Sequence, residues 1–461
     1  MTIPHRPAPE EVQASLANLF ARLRAASFLP EYRLHRELAF IQALKPYGPD
    51  LVHMGLSPTP EELELAEWYF YMDWQPMNGQ RSVLEYVRDS VTDPLSEEER
   101  SWVDPLRHSF MDLLEVTAVD LDAPATLTLR SLGNGVTSQV SVGSGVPSYS
   151  PGIILLTRLI HHPEWTLFPG VAVALARRWG YAVFETVKEL QQQLEAEYGA
   201  FELAEWPTFT KRFGYILLWA FAHVRFKAVA EAEAKIIYVD VQGMPFLYCI
   251  ALYDHHAFAE LEAGIDEFPD WQAQSLEVPA SHSKHDASAS HPNCASPPGA
   301  RRRLWCKRAG SLLMARLTLT RTQLVAEAAS PEELNALKHL LAATFGFTLH
   351  FRGESLEPPA HPPPAVNLLA DYLEPMTVVV PREEEHRLLS TFLESVYLDW
   401  ADHPSPALGR QSPRRRAADP QGAREVAALL AELESEDLAL HRTGKPGCNY
   451  ATLRAQVGLP S

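Results

Sequence analysis

The apolar positions of this chain switch between two periods, and the switches mark its organisation. Up to residue 114 they recur every three or four residues, which predicts helices over 9–26, 34–44, 60–74, 82–88 and 96–114. Val12, Leu16, Leu19, Phe20 and Leu23 fall on one stripe of the first. Thr59 followed by Pro60, Glu61 and Glu62 reads as a helix start: a hydroxyl cap, a proline whose missing N–H costs nothing there, and acids facing the positive end of the helix dipole. Ser96 with three glutamates repeats the signal, and Asn78 with Gly79 reads as a turn. The cluster Trp68, Tyr69, Phe70, Tyr71 and Trp74 is expected to be core rather than a stacking platform, because such rings bury large area.

The period then drops to two. Segments 115–120, 126–132, 137–142, 153–159 and 166–171 alternate and are rich in Thr and Val, predicting a small antiparallel sheet or barrel. The glycine pairs Gly133/Gly135 and Gly143/Gly145 lie between these strands, so they read as hairpin turns; a dinucleotide loop would need a helix after the glycines. Residues 172–235 return to helix, with two long stretches meeting near Trp206 and Pro207. Strands are expected at 236–239 and 246–252, and a short helix at 257–264. Strands at 304–307, 312–319 and 323–328 precede a helix that Ser330 and Pro331 start and Gly346 ends, with a last strand at 347–351. Segment 275–300, rich in Ser, His, Pro and Ala with almost no large apolar residues, reads as a disordered insertion, and 358–364 as a second linker. The whole is a multidomain, mostly helical α+β chain. It comprises a helical region 1–114, a small antiparallel β module 115–171, a helical region 172–235, a strand–helix–strand α+β unit 236–357 and a helical module 365–461.

Charge narrows the function. The net charge of −18 argues against bulk binding to nucleic acid, which needs lysines and arginines facing the phosphates. The strands of the β module carry only Arg130 and Arg158, which favours a structural module over a single-strand binder. Local basic patches occur at Arg301–Arg303 with Lys307 and Arg308, and at Arg410 with Arg414, Arg415 and Arg416. Cys249, Cys294, Cys306 and Cys448 form no CxxC pair, which suits a reducing compartment. The N-terminus has no signal-like apolar core, and the apolar run 215–224 falls short of the roughly 20 residues that span a bilayer. A cytoplasmic protein without membrane contact is expected.

Candidate chemistry is sparse. His282, His285, His291, Cys294 and Cys306 have metal-like spacings, but the Ser/Ala-rich segment around the first four lacks the tight turns of a zinc site, so no metal or other cofactor is expected. His255 and His256 follow a strand, and His161 and His162 sit in a turn; neither pair has a nucleophile or carboxylate at diagnostic spacing. No GxSxG, P-loop, HExxH or kinase signature occurs. No catalytic residue is assigned; an enzyme with its site near His255 and His256, or under the β module, is the alternative, and a nucleic-acid binder using the β module is a second.

The positive signal lies near the end. Glu383 to Trp400 reads as an amphipathic helix; Pro404 and Pro406 break it, and Ser412 with Pro413 and Asp419 with Pro420 each start another. Val426, Leu429, Leu430 and Leu433 line the last of these. The pattern Trp400, Pro404, Pro406, Ala407, Leu408, Gly409, Ser412, Pro413, Gly422, Val426, Leu429 and Leu430 resembles the Xre/MbcA/ParS antitoxin toxin-binding domain. The tail 444–459 is similar to the ending of a related version in large uncharacterised bacterial proteins, some of which carry SEC-C metal motifs. This chain has neither the SEC-C cysteines nor an upstream helix-turn-helix, so neither zinc nor DNA reading carries over. The resemblance implies a helical fold that docks a protein partner, in that family a toxin and commonly a RES-domain enzyme. The expectation is a non-catalytic interaction protein using Trp400, Pro406, Leu408, Arg414, Arg415 and Val426.

Overall fold

A computed structural model describes residues 2–3, 10–48, 56–76, 79–120, 126–141, 149–163, 166–198, 204–274 and 302–460. The chain forms two compact units: Met1–Lys235 with Pro362–Pro375, and Ile236–His361 with Met376–Ser461. Four expected features lie outside the described residues: the turn at Asn78, the Gly143/Gly145 hairpin, the 275–300 insertion with its His282, His285, His291 and Cys294, and Arg301.

In the first unit the caps form as their chemistry requires. The Thr59 hydroxyl accepts from the Glu62 amide at 3.3 Å while the Glu62 carboxylate accepts from the Thr59 amide at 2.8 Å, and Ser82 and Ser96 build the same reciprocal box. The aromatic run is core: Trp68, Tyr69, Phe70 and Tyr71 are all buried. The helix expected over 96–114 ends early. Helices Glu97–Ser101 and Val103–His108 give way to strand Met111–Asp120, whose first six residues are buried on both faces. A strand covered on both sides loses its polar alternation, which is why residues 111–114 resembled the end of a helix. Residues 172–175, also expected as helix, form a strand against Ile154–Arg158.

Eight strands among the described residues make one sheet. Its order is Ile160–His161, Thr166–Leu167, Thr137–Ser141, Thr126–Ser131, Met111–Asp120, Ile154–Arg158 and Ala172–Leu175, with Thr2–Ile3 parallel to Thr137–Ser141. Leu159 alone separates Ile154–Arg158 from Ile160–His161, yet the two lie near opposite ends of that order, so the sheet curls back on itself. Leu114, Val116, Leu127, Leu129 and Leu155 fill the curl. Met111, Leu113, Ile154 and Leu156 join the helices in a second core with Phe70, Trp179 and Phe221. The segments 1–114, 115–171 and 172–235 therefore share one core, because the outer face of the sheet needs the helices to cover it.

The second unit holds a six-stranded antiparallel sheet in the order Trp271–Gln274, Arg303–Ala309, Leu312–Leu319, Gln323–Ala328, Cys249–Asp254 and His350–Ser355. Helices Phe258–Asp266 and Pro331–Phe345 cover one face, with Leu261, Ile265, Leu334 and Leu341 packed on Ala251, Ala326 and Leu317. The C-terminal helices cover the other: Leu389, Phe392, Leu393 and Val396 of Arg382–Trp400 pack on Ile250, Leu252 and Val325. The α+β segment and the C-terminal module, expected as separate pieces, thus share a core. The expectation that 365–461 is wholly helical needs correcting. Thr377–Val379 pairs in parallel with Ile237–Val239, and Pro362–Pro375 belongs to the first unit. No single helix among the described residues is long and apolar enough to cross a membrane.

Candidate functional site

The C-terminal module is built as its caps and prolines foretell. Ser412 caps Pro413–Arg416, and the Asp419 carboxylate accepts from the amides of Gln421 at 3.0 Å and Gly422 at 2.8 Å to start Pro420–Ser435. Gly422 is required by proximity: a Cβ there would lie 1.9 Å from the Arg416 carbonyl oxygen. The link between helices is a tight loop in which the Ser405 amide donates to the Gln411 carbonyl and the Arg410 amide donates to the Ser405 carbonyl, both at 3.0 Å. Gly409 and Arg410 close it in the left-handed region, each at φ 63°.

The six expected contact residues separate into three groups. Trp400, Leu408 and Val426 are 2%, 6% and 0% exposed and form the module's own core with Leu430 and Tyr450, so their side chains hold the fold and do not face a partner. The apolar half of the expected site is corrected on this ground: in a domain this small the residues that mark the fold most clearly are the ones it must bury. Pro406 is half-buried and Arg414 is exposed but occupied, donating to the Gln456 carbonyl at 3.1 Å and pairing with Asp402 at 2.9 Å. Arg415 is exposed and makes no side-chain hydrogen bond or ion pair among the described residues, and the same holds for Arg410 and Arg424. Arg416 pairs with Asp419 and Glu425.

Arg410 is one of two non-glycine residues with positive φ among the described residues. That region is disfavoured for a side-chain-bearing residue and is retained where the surroundings impose it. Here the Ser405–Gln411 bridge does so and sets an arginine at the tip of an exposed loop.

A groove of about 580 Å³ opens elsewhere on the module, lined among others by His386, Ser390, Glu394, Cys448 and Arg454. A cysteine and a histidine in one groove suggest a nucleophile and base. Burial, reinforced by Glu394 and Asp437, pushes the Cys448 thiol up to about 11, so it stays protonated and unreactive near neutral pH. Sequence spacing missed this groove, because its walls come from residues 386–394 and 434–454 and meet only through tertiary packing.

The two places considered for an enzyme have little room. His255 is 1% exposed and its Nε2 lies 3.1 Å from the Thr320 carbonyl oxygen; the cavity beside it measures about 10 Å³. In the curled sheet, Asp112, Ser131, Asn134, Ser138 and His161 line a cavity of about 40 Å³. Such volumes hold ordered water rather than an organic substrate. Asp112 accepts from the Trp206 indole N–H at 2.7 Å, and burial pushes its carboxyl up to about 6. The β-module cations are also spent: Arg158 is fully buried against Asp73 and Ser109, and Arg130 pairs with Glu115. Among the described residues no group of three or more His, Cys, Asp or Glu could hold a metal ion. Comparisons with protein-family models, with curated proteins and with solved structures find no match.

Proposed function

We propose that this protein is a non-catalytic docking protein that engages an acidic protein surface through the exposed face of its C-terminal module. The observation that carries the reading is the pair of unpaired arginines, Arg410 held at a strained loop tip and Arg415 on the adjoining short helix. In a chain of net charge −18, unneutralised arginines fixed by the backbone suit an acidic partner, for which they supply both steering and forked hydrogen bonds. The resemblance of residues 400–430 to the antitoxin toxin-binding domain suggests a toxin-like partner. With Trp400, Leu408 and Val426 buried, Arg410 and Arg415 take over the contact role. We place this docking in the cytoplasm, a reading supported by the free thiols of Cys249, Cys306 and Cys448.

The test is to recover partners from extracts of the producing cells, identify the dominant one, purify it and titrate it against the full chain. Arg410→Glu combined with Arg415→Glu is expected to weaken binding by at least about tenfold without changing thermal unfolding. Unchanged affinity in that variant sinks the reading. So does capture only of nucleic acid, with binding that falls steeply as salt rises.

A further inference from the structure

The end of the central sheet in the second unit gathers cationic side chains that docking by Arg415 does not use. Strand Cys249–Asp254 ends at Asp254, which lies opposite His350 in the antiparallel ladder. His256 follows two residues on and is exposed. Arg352, the extra residue where the ladder bulges between Phe351 and Gly353, pairs with Asp254 at 3.1 Å (Nε to Oδ2). Its side chain is nine-tenths buried, and its Nη2 has no hydrogen-bond partner among the described residues. Arg410 stands on the loop whose Ser405 and Ala407 line the same small cavity as Asp254 and His255.

His350 and Arg352 thus face the Asp254 carboxylate at this strand end, and His256 and Arg410 lie near enough to act on the His350 imidazole. Burial, then Arg410, His256 and Arg352, push the His350 imidazole below its usual range. An arrangement of like charges with an unsatisfied buried guanidinium N–H is costly by itself, and a bound oxyanion would relieve both terms.

We propose that this sheet end, between the edge strand His350–Ser355 and the loop 404–411, is a binding site for a phosphate-class oxyanion held by His256, His350, Arg352 and Arg410. Tetrahedral oxyanions offer several acceptor oxygens, which suits donors converging from two chain segments, and the guanidinium fork is the matching donor. The oxyanion is either free phosphate or the phosphoryl group of a modified protein segment. In the second case the site lies on the docking face and rests on the docking reading through Arg410.

The experiment titrates the full chain by calorimetry in about 150 mM NaCl, where non-specific charge attraction is largely screened. The probes are inorganic phosphate, a phosphoserine peptide and the same peptide without phosphate. Saturable binding of phosphate is expected at or below about 1 mM, weakened about tenfold by Arg410→Gly, which favours the left-handed backbone, and similarly by His350→Gln. Arg416→Ala, elsewhere on the module, should leave it unchanged. Phosphate also raises the titration point of His350 in nuclear magnetic resonance spectra, a shift that a merely structural cluster would not show. The phosphopeptide binding at least about tenfold tighter than phosphate assigns the source to a modified protein; equal affinities assign it to the free ion. No binding of either up to about 10 mM, or binding indifferent to both substitutions, overturns the proposal. Arg415→Glu separates this result from the docking reading, since it removes a docking residue and leaves the oxyanion donors intact.

Discussion

The two faces of the six-stranded sheet are covered by helices, yet they are held by different physics. Strand Gln323–Ala328 is buried at every position and shows both. Leu324, Ala326 and Ala328 face helices Phe258–Asp266 and Pro331–Phe345 in an apolar layer. On the other side Val325 meets the C-terminal helices, but beside it Glu327 is buried with Arg316 at 2.7 and 2.9 Å and with Arg442. Arg442 in turn lies 3.8 Å from Glu385, Gln323 donates to the Tyr397 hydroxyl at 3.4 Å, and Thr322 meets Glu436 at 3.5 Å. The first face is stabilised by area removed from water, which tolerates exchange of one apolar shape for another. The second matches charges in place, so it admits one register of the module on the sheet. This module is therefore an integral layer of its unit.

Breaking the charged face should cost most. Glu327→Gln keeps the shape but leaves the half-buried Arg316 and Arg442 without their shared, fully buried carboxylate, with an expected loss of about 3–5 kcal/mol. Because the chain has two units, hydrogen exchange of the Gln323–Ala328 amides is the suitable measurement, and a loss under about 1 kcal/mol would show that the ion cluster carries little. The apolar face sharpens the contrast. Leu341→Ala is expected to cost about 3 kcal/mol by the same measurement, whereas Leu341→Met, conserving volume, costs under about 1.5 kcal/mol. Equal sensitivity of the two faces to shape-conserving changes would erase the distinction.

The first unit extends the comparison to a buried acid with a cation and one without. Asp73 has Arg158 and Lys211, the latter at 2.7 Å, while Asp112 has only neutral donors. Unfolded, Asp112 titrates near the ordinary carboxylate value; folded, near 6. Between those values the folded state holds the extra proton. The Asp112 contribution to stability is thus fully present below about pH 4 and is lost as the pH rises through about 6, by on the order of 2–3 kcal/mol. Asp112→Asn keeps an acceptor for Trp206 and should abolish that fall, leaving the variant the more stable above pH 6. Hydrogen exchange of the Met111–Asp120 amides in both proteins from pH 4 to 7, corrected for intrinsic rates, checks this, and parallel pH profiles would contradict it.

Much of the fold was legible locally. Thr59, Ser96, Ser330, Ser412 and Asp419 each cap the helix they were expected to start, because a cap is a contact between residues two or three apart. The misread segments, 111–114 and 172–175, are strands whose polarity pattern is overridden by cover from distant helices. The burial of the candidate residues was only partly legible. Arg415 stands exposed as its place on a basic turn implies, whereas Trp400, Leu408 and Val426, the strongest part of the motif, proved to be its core. His350 and Arg352 carried no signal, since their place beside Asp254 depends on strand pairing across some hundred residues of chain.

By itself the sequence determined the α+β class, the helix starts and the small, capped helices of the C-terminal module. These follow from dihedral preference and hydrogen bonds between near neighbours, which any folded context preserves. Only the tertiary structure decided which face of that module is spent on its own sheet, which arginines stay unpaired, and that histidines and arginines from three segments share one corner. Burial and charge pairing act between residues far apart in the chain, and so are settled only when the layers meet.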